Sequence, residues 1–173
     1  MSQAGFEQLI NKHFNFLVKS HGYKISFVDR TSYPDLSIDD GEAEISSNKT
    51  LIYVMKSRFD YALTIGPIGE PTFTRISPTW ILEALSVPLT VPPRNSDLSS
   101  FEWFLVENLH LLSTQCMLFV LGDFSGWLEI LEYFIKETKE GYFSRTHKEL
   151  PQYVHRELEE YIKTKKMQGH YPK

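Results

Sequence analysis

The spacing of apolar residues changes period along the chain, and the changes mark its elements. Phe6, Leu9, Ile10, His13, Phe14, Leu17 and Val18 recur at helical spacing, and Gly22 follows where a helix end favours a left-handed residue. This predicts an amphipathic N-terminal helix. From Tyr23 to Val28 the period shortens to two, with Tyr23, Ile25 and Phe27 on one side and Lys24 and Ser26 on the other, as in a half-buried strand. Asp29 to Gly41 reads as a polar, acidic loop with room for a short strand through Leu36 to Ile38. Extended runs then follow at Glu42 to Ser47, Thr50 to Lys56 and Tyr61 to Ile65. Their connections are too short for parallel crossovers, so the pattern predicts a small antiparallel meander. Gly66-Pro67-Ile68-Gly69-Glu70-Pro71 should end it in a sharp turn.

Beyond the meander the pattern is helical. Ser77-Pro78 opens a short helix over Thr79 to Leu85, and Pro88 closes it. Ser86 to Ser99, rich in Pro, Asn and Ser, reads as a crossing loop between a sheet-bearing part, about 1–87, and a helical part, about 99–168. Ser99 and Glu102 match a capping box, with Leu98 and Trp103 as a hydrophobic staple, and start a long helix from about Ser100 to Leu121. Apolar residues lie nearly all round it, including Phe101, Phe104, Leu105, Leu109, Leu112, Leu118 and Phe119, so it should be central and buried. After Gly122 to Gly126, with Ser125 as cap, a second helix carries Trp127, Leu128, Leu131, Phe134 and Ile135 to Gly141, forming a hairpin with the first. A third starts near Leu150-Pro151 and turns Val154, Leu158, Tyr161 and Ile162 inward. The expected fold is therefore α+β: one domain, residues 1–173, with an N-terminal helix, a meander sheet and three C-terminal helices around a central buried one.

Composition agrees with a self-sufficient core, since twelve Phe, nine Tyr and three Trp in 173 residues supply ample apolar surface. The lone Cys116 lies in an apolar run and reads as a buried hydrophobe in a reducing compartment. No secretory signal opens the chain, and Glu102, Glu107, Asn108, His110 and Gln115 interrupt its most apolar stretch, so a cytoplasmic protein without a membrane span is expected. A net charge of −4 weighs against nucleic acid as the ligand. Lys163, Lys165 and Lys166 are cations suited to the last turn of a helix.

Candidate chemistry is sparse. His13, His21, His110, His147, His155 and His170 stand apart and make no zinc pattern. The glycines around Ser125 lie three before and one after it, which does not fit a nucleophile elbow. Gly66 to Glu70 lacks a phosphate-loop pattern, Pro67 removes a donor, and Glu70 repels an anion. No catalytic residue, metal site or cofactor is therefore assigned, and a non-enzymatic role is favoured. The densest acidic cluster, Asp35, Asp39, Asp40, Glu42 and Glu44, is the candidate partner interface, because an acidic face steers toward basic partners. Tyr23, Tyr33, Tyr53, Phe59 and Tyr61 lie near it in sequence as candidate anchors, although most of them read as core or sheet-face residues.

Phe14-Asn15-Phe16-Leu17, His21-Gly22-Tyr23, Thr50 to Met55, Tyr61 to Gly66 running through Pro67 into Ile68-Gly69-Glu70, and Trp80-Ile81-Leu82 follow one another in the first half. In this order of segments the chain resembles small bacterial proteins of the polymorphic-toxin immunity type. The resemblance implies a helix, a strand, hairpin strands and a Gly/Pro turn before a short helix, and a protein partner such as a basic toxin domain. The alternative is a small enzyme or small-ligand sensor whose site forms only in three dimensions. A structural or assembly subunit is a third reading, suggested by the abundant aromatics.

Overall fold

The computed structural model describes residues 2–28, 41–58, 60–139 and 152–169. Helix α1, Gln3–His21, begins where the Ser2 hydroxyl accepts from the Gly5 N–H and ends at Gly22, whose φ is 68°. Its buried stripe is Phe6, Ile10, Phe14 and Leu17, the inward half of the predicted face. Val18, at that stripe's edge, is exposed.

Four strands follow in sequential antiparallel order: β1, Lys24–Phe27; β2, Gly41–Ser46; β3, Thr50–Lys56; and β4, Tyr61–Pro67. The register lines up Ile25, Ile45, Ile52 and Ile65 across the sheet, with Phe27, Ala43, Val54 and Leu63 beside them. This is the face that meets the helices. Each Ile, Val, Leu or Phe side chain there, once fully buried, contributes about 1.5–3 kcal/mol. Gly41 allows α1 to approach closely, since a Cβ there would sit 2.5 Å from the Phe6 ring.

β4 runs past its expected end. The ladder continues through Gly66 to pair Pro67 with Thr50, and the Ile68 N–H then donates to Lys49 O at 2.8 Å. Pro67 is tolerated there because β4 lies at the end of the strand order. After the turn and a single 3₁₀ turn, Thr72–Thr74, Ile76 returns alongside β4 and exchanges both backbone hydrogen bonds with Ile65. Helix α2, Pro78–Ala84, starts at Ser77, whose hydroxyl accepts from the Trp80 N–H, with Pro78 in its first turn.

The long helix expected from Ser100 to Leu121 is two helices, α3, Ser100–Thr114, and α4, Met117–Val120. The chain turns at Gln115 and Cys116, whose N–H groups both reach Leu111 O. The turn brings the end of α4 against the sheet, where Thr50 Oγ1 donates to Phe119 O at 2.9 Å and the Tyr23 hydroxyl to Val120 O at 2.5 Å. The Val120 carbonyl that the helix end leaves unpaired is thus satisfied by Tyr23, and the Phe119 carbonyl, which already accepts from the Gly122 N–H, gains a second donor in Thr50. Leu118, expected inside a continuous helix, is instead 64 % exposed.

Helix α5, Trp127–Lys139, begins one residue later than a Ser125 cap predicts, with its first bond running from the Ile130 N–H to Gly126 O. It packs against α2 and against α6, Gln152–Gln168, rather than forming a hairpin with α3. Trp80 of α2 meets Phe134 of α5 edge-on at 5.3 Å, and Phe73 meets Tyr161 of α6 at 6.1 Å. Buried residues from the sheet and all six described helices form one cluster, so the α+β architecture holds, with α5 seated against α2 and α6 against α5 and the 3₁₀ turn. The loop at 29–40 with its strand at 36–38, the helix limits near Gly141 and Leu150-Pro151, and the tail beyond Gly169 lie outside the described residues.

Candidate functional site

Of the acidic interface residues, Glu42 and Glu44 are placed; Asp35, Asp39 and Asp40, like Tyr33 and Phe59, lie outside the described residues. Period two on β2 sends Ala43 and Ile45 into the core and Glu42 and Glu44 to the opposite face. The ladder sets Glu44 between Ser26 of β1 and Tyr53 of β3, and Glu42 opposite Met55. Directly opposed residues have Cβ atoms about 4.5–5.5 Å apart, so the two carboxylates lie beside an aromatic ring and a thioether. All four residues are half-buried, and Thr64 and Ala62 of β4 extend the same rows. The result is a sheet face with two carboxylates beside a ring and a thioether, and with exposed Lys24 of β1 on the same side. Tyr23 and Tyr61 are used elsewhere: Tyr23 holds α4, and Tyr61 packs on Phe101 and Phe104 at 5.2 and 5.6 Å.

Glu102 does something its motif did not indicate. Ser99 caps α3 by accepting from the Glu102 N–H at 3.2 Å, but the Glu102 carboxylate is committed across to α1. Its Oε1 accepts from Lys12 Nζ at 2.7 Å and contacts His13 Nε2 at 3.1 Å. The Lys12 and His13 hydrogen bonds hold the Glu102 carboxyl below its ordinary value. A carboxylate orienting a histidine is one part of an acid–base site, yet this pair has a structural task in fastening α1 to α3.

Nucleophile chemistry is unsupported at the other candidates. Burial pushes the Cys116 thiol up to about 12, which keeps it protonated and inert. His110 is half-buried on α3, and its carbonyl accepts from the Ser113 and Thr114 hydroxyls. Ser125 lies in the α4–α5 turn with its N–H on the Asp123 carboxylate at 3.0 Å. Glu70 is paired with Lys165 at 2.6 Å, and Lys166 with Glu132 at 2.5 Å, so two of the tail lysines join α6 to other parts of the fold as well as sitting in its last turn. Among the described residues no group of three or more His, Cys, Asp or Glu is arranged to hold a metal ion, and no helix is long and apolar enough to cross a membrane.

Sequence reasoning also missed an open groove of about 630 Å³ between α5 and α6. Ile135 and Ile162 form its floor, and Lys136, Lys163, Glu132 and Glu159 stand along its rims. Each helix displays its own apolar stripe in sequence, but the groove depends on how the two stripes are offset, which periodicity does not encode. No family model matches the chain, and neither a curated protein nor a solved structure matches it.

Proposed function

We propose that the chain is a non-enzymatic cytoplasmic binding protein of the immunity type, which neutralises a basic toxin domain by covering its working surface. One observation carries this reading: Glu42 and Glu44 project side by side from the non-core face of β2, opposite Met55 and Tyr53. Carboxylates present to a basic partner what its phosphate-bearing substrate would present, and the ring and thioether supply the apolar contacts that anchor interfaces. The acids Asp35, Asp39 and Asp40 precede these strands in the chain and belong to the same proposed interface.

The test is co-expression with the toxin-like protein encoded beside its gene, reading growth rescue and co-purification. Glu42→Lys with Glu44→Lys should weaken the complex by roughly tenfold or more, chiefly by slowing association, and blunt its salt dependence, with the melting temperature little changed. A complex indifferent to both reversals, or no complex at all, would remove the reading. The α5/α6 groove favours a second one, a small-ligand sensor, because its volume lies in the range of small-molecule sites. Protection of groove residues Ile135 and Ile162 by an amphipathic carboxylate such as decanoate, seen by NMR, would favour that alternative.

A further inference from the structure

The run from Leu85 to Pro93 contains no charged residue and leads from α2 toward α3. Gln115 holds it from one side: its Nε2 donates to Pro88 O at 2.7 Å, and its Oε1 accepts from the Thr90 N–H at 3.1 Å. A carbonyl and the N–H two residues later face the same way where the backbone is extended, because peptide groups alternate along a strand. The Gln115 amide therefore lies along one edge of an extended run centred on Leu89 that belongs to none of the four strands. Pro88 and Pro92 fall on that closed edge, so their missing N–H groups leave the other edge's donors intact.

The open edge carries the N–H and C=O of Leu89 and Val91 and the C=O of Val87, none of which has a hydrogen-bond partner among the described residues. The Val87 N–H is already used, donating to Leu82 O at 2.8 Å. Val87, Leu89 and Val91 are 38, 46 and 46 % exposed. Natural edges are usually blunted by a charged side chain, a proline, a bulge or a cover, and along this edge the first such residue is Pro93, past Val91.

We propose that this edge pairs antiparallel with the same edge of a second copy of the chain, about a two-fold axis at Leu89. The free groups match themselves. Leu89 exchanges both bonds with Leu89 of the second copy, and each Val91 N–H meets the Val87 C=O opposite. The group left over is the Val91 C=O at the strand end, and its natural donor, the Val87 N–H, is the one that Leu82 has taken. The Val-x-Leu-x-Val pattern is apolar in both directions, so the two-fold sets Val87 against Val91 and Leu89 against itself with no charges opposed. So short a strand pair buries far less than the roughly 1,200 Å² of a stable interface, which makes the dimer weak and concentration-dependent. The Glu42 and Glu44 face of the sheet plays no part in this, and the two proposals stand or fall separately.

Sedimentation velocity of the full chain, from micromolar to millimolar loading, should show a monomer–dimer equilibrium. Leu89→Lys should weaken it by roughly tenfold or more through opposed like charges while leaving the melting temperature unchanged. Leu89→Cys should give a disulfide dimer under mild oxidation, because residues exchanging both bonds across an antiparallel pair have Cα atoms about 5.5 Å apart, within disulfide reach. Leu118→Cys, at the more exposed Leu118, should cross-link far more slowly, and buried Cys116 does not compete. A chain that stays monomeric at millimolar loading overturns the proposal. So does a dimer that Leu89→Lys leaves intact, or equal cross-linking of the two cysteine variants.

Discussion

Tyr23 and Thr50 complete a helix that belongs to a distant part of the chain. Their hydroxyls donate to the Val120 and Phe119 carbonyls at the end of α4, in a region where Thr50 is fully buried and Tyr23 is nearly so. Burial also pushes the Tyr23 phenol above its ordinary value, with hydrogen bonding to Thr50 and Ser47 offsetting part of the rise, so the donor stays protonated near neutrality. Tyr23→Phe keeps the ring and removes the donor, leaving a buried carbonyl unpaired. The expected cost is about 1–3 kcal/mol, read as a lower urea midpoint at unchanged slope. Gly122, two residues on, is constrained twice: its φ is 85°, and a Cβ there would lie 2.5 Å from Lys49 Cβ. Gly122→Ala should lower stability by about 1–3 kcal/mol. Pairing it with Lys49→Gly should restore the steric share and leave the backbone share, so partial rescue in thermal unfolding separates the two.

The long helical pattern breaks at Gln115. Neither Gly nor Pro marks the position, and the apolar spacing runs through it, so nothing local predicts α3 stopping at Thr114. The amide is instead committed to Pro88 and Thr90, residues far away in sequence. The same physics explains what else was and was not legible. The stripe of α1, the strand alternation, the meander order and the Ser77 and Ser99 caps depend on neighbours a few positions apart, and these could be read. Which helix α5 chooses, where the Glu102 carboxylate goes and how the α5/α6 groove opens depend on partners up to about a hundred residues away, and these could not. Within the acidic site, the alternation placed Glu42 and Glu44 on one face, but the ladder alone supplied Tyr53 and Met55 as their neighbours. Gln115→Ala should return the exposed Pro88 and Thr90 groups to water. The expected loss is about 0.5–1.5 kcal/mol, with faster amide exchange at Thr90 and faster proteolysis between 85 and 99 as the specific signature.

Two glutamates at separate helix contacts give the fold opposing responses to acid. Glu102 ties α3 to α1, and the Lys12 and His13 hydrogen bonds hold its carboxyl below the ordinary value of 4.5. A depressed native value stabilises the fold above the unfolded one, and that contribution is lost as pH falls from there through the native value. Lys12 is 62 % exposed and therefore screened, which limits the contribution to about 1 kcal/mol or less. Glu83, on α2, behaves in the opposite way: burial and then the nearby Glu137 charge on α5 raise its carboxyl above 4.5. A raised acid is destabilising once ionised, so its penalty is present above the native value and disappears as pH falls toward the unfolded one. Glu102→Gln should therefore be less stable than the parent at neutral pH, with the difference shrinking below about pH 4.5. Glu83→Gln should be more stable at neutral pH, and its advantage should vanish over a window that starts above 4.5, whereas the Glu102 contribution is lost below it. Urea midpoints taken from neutral pH downward distinguish the two, because the Glu83 difference must close first on acidification. If the Glu102 difference closed first, or if either difference ran with the wrong sign at neutral pH, the placement of these carboxyls between α1 and α3 and between α2 and α5 would be wrong.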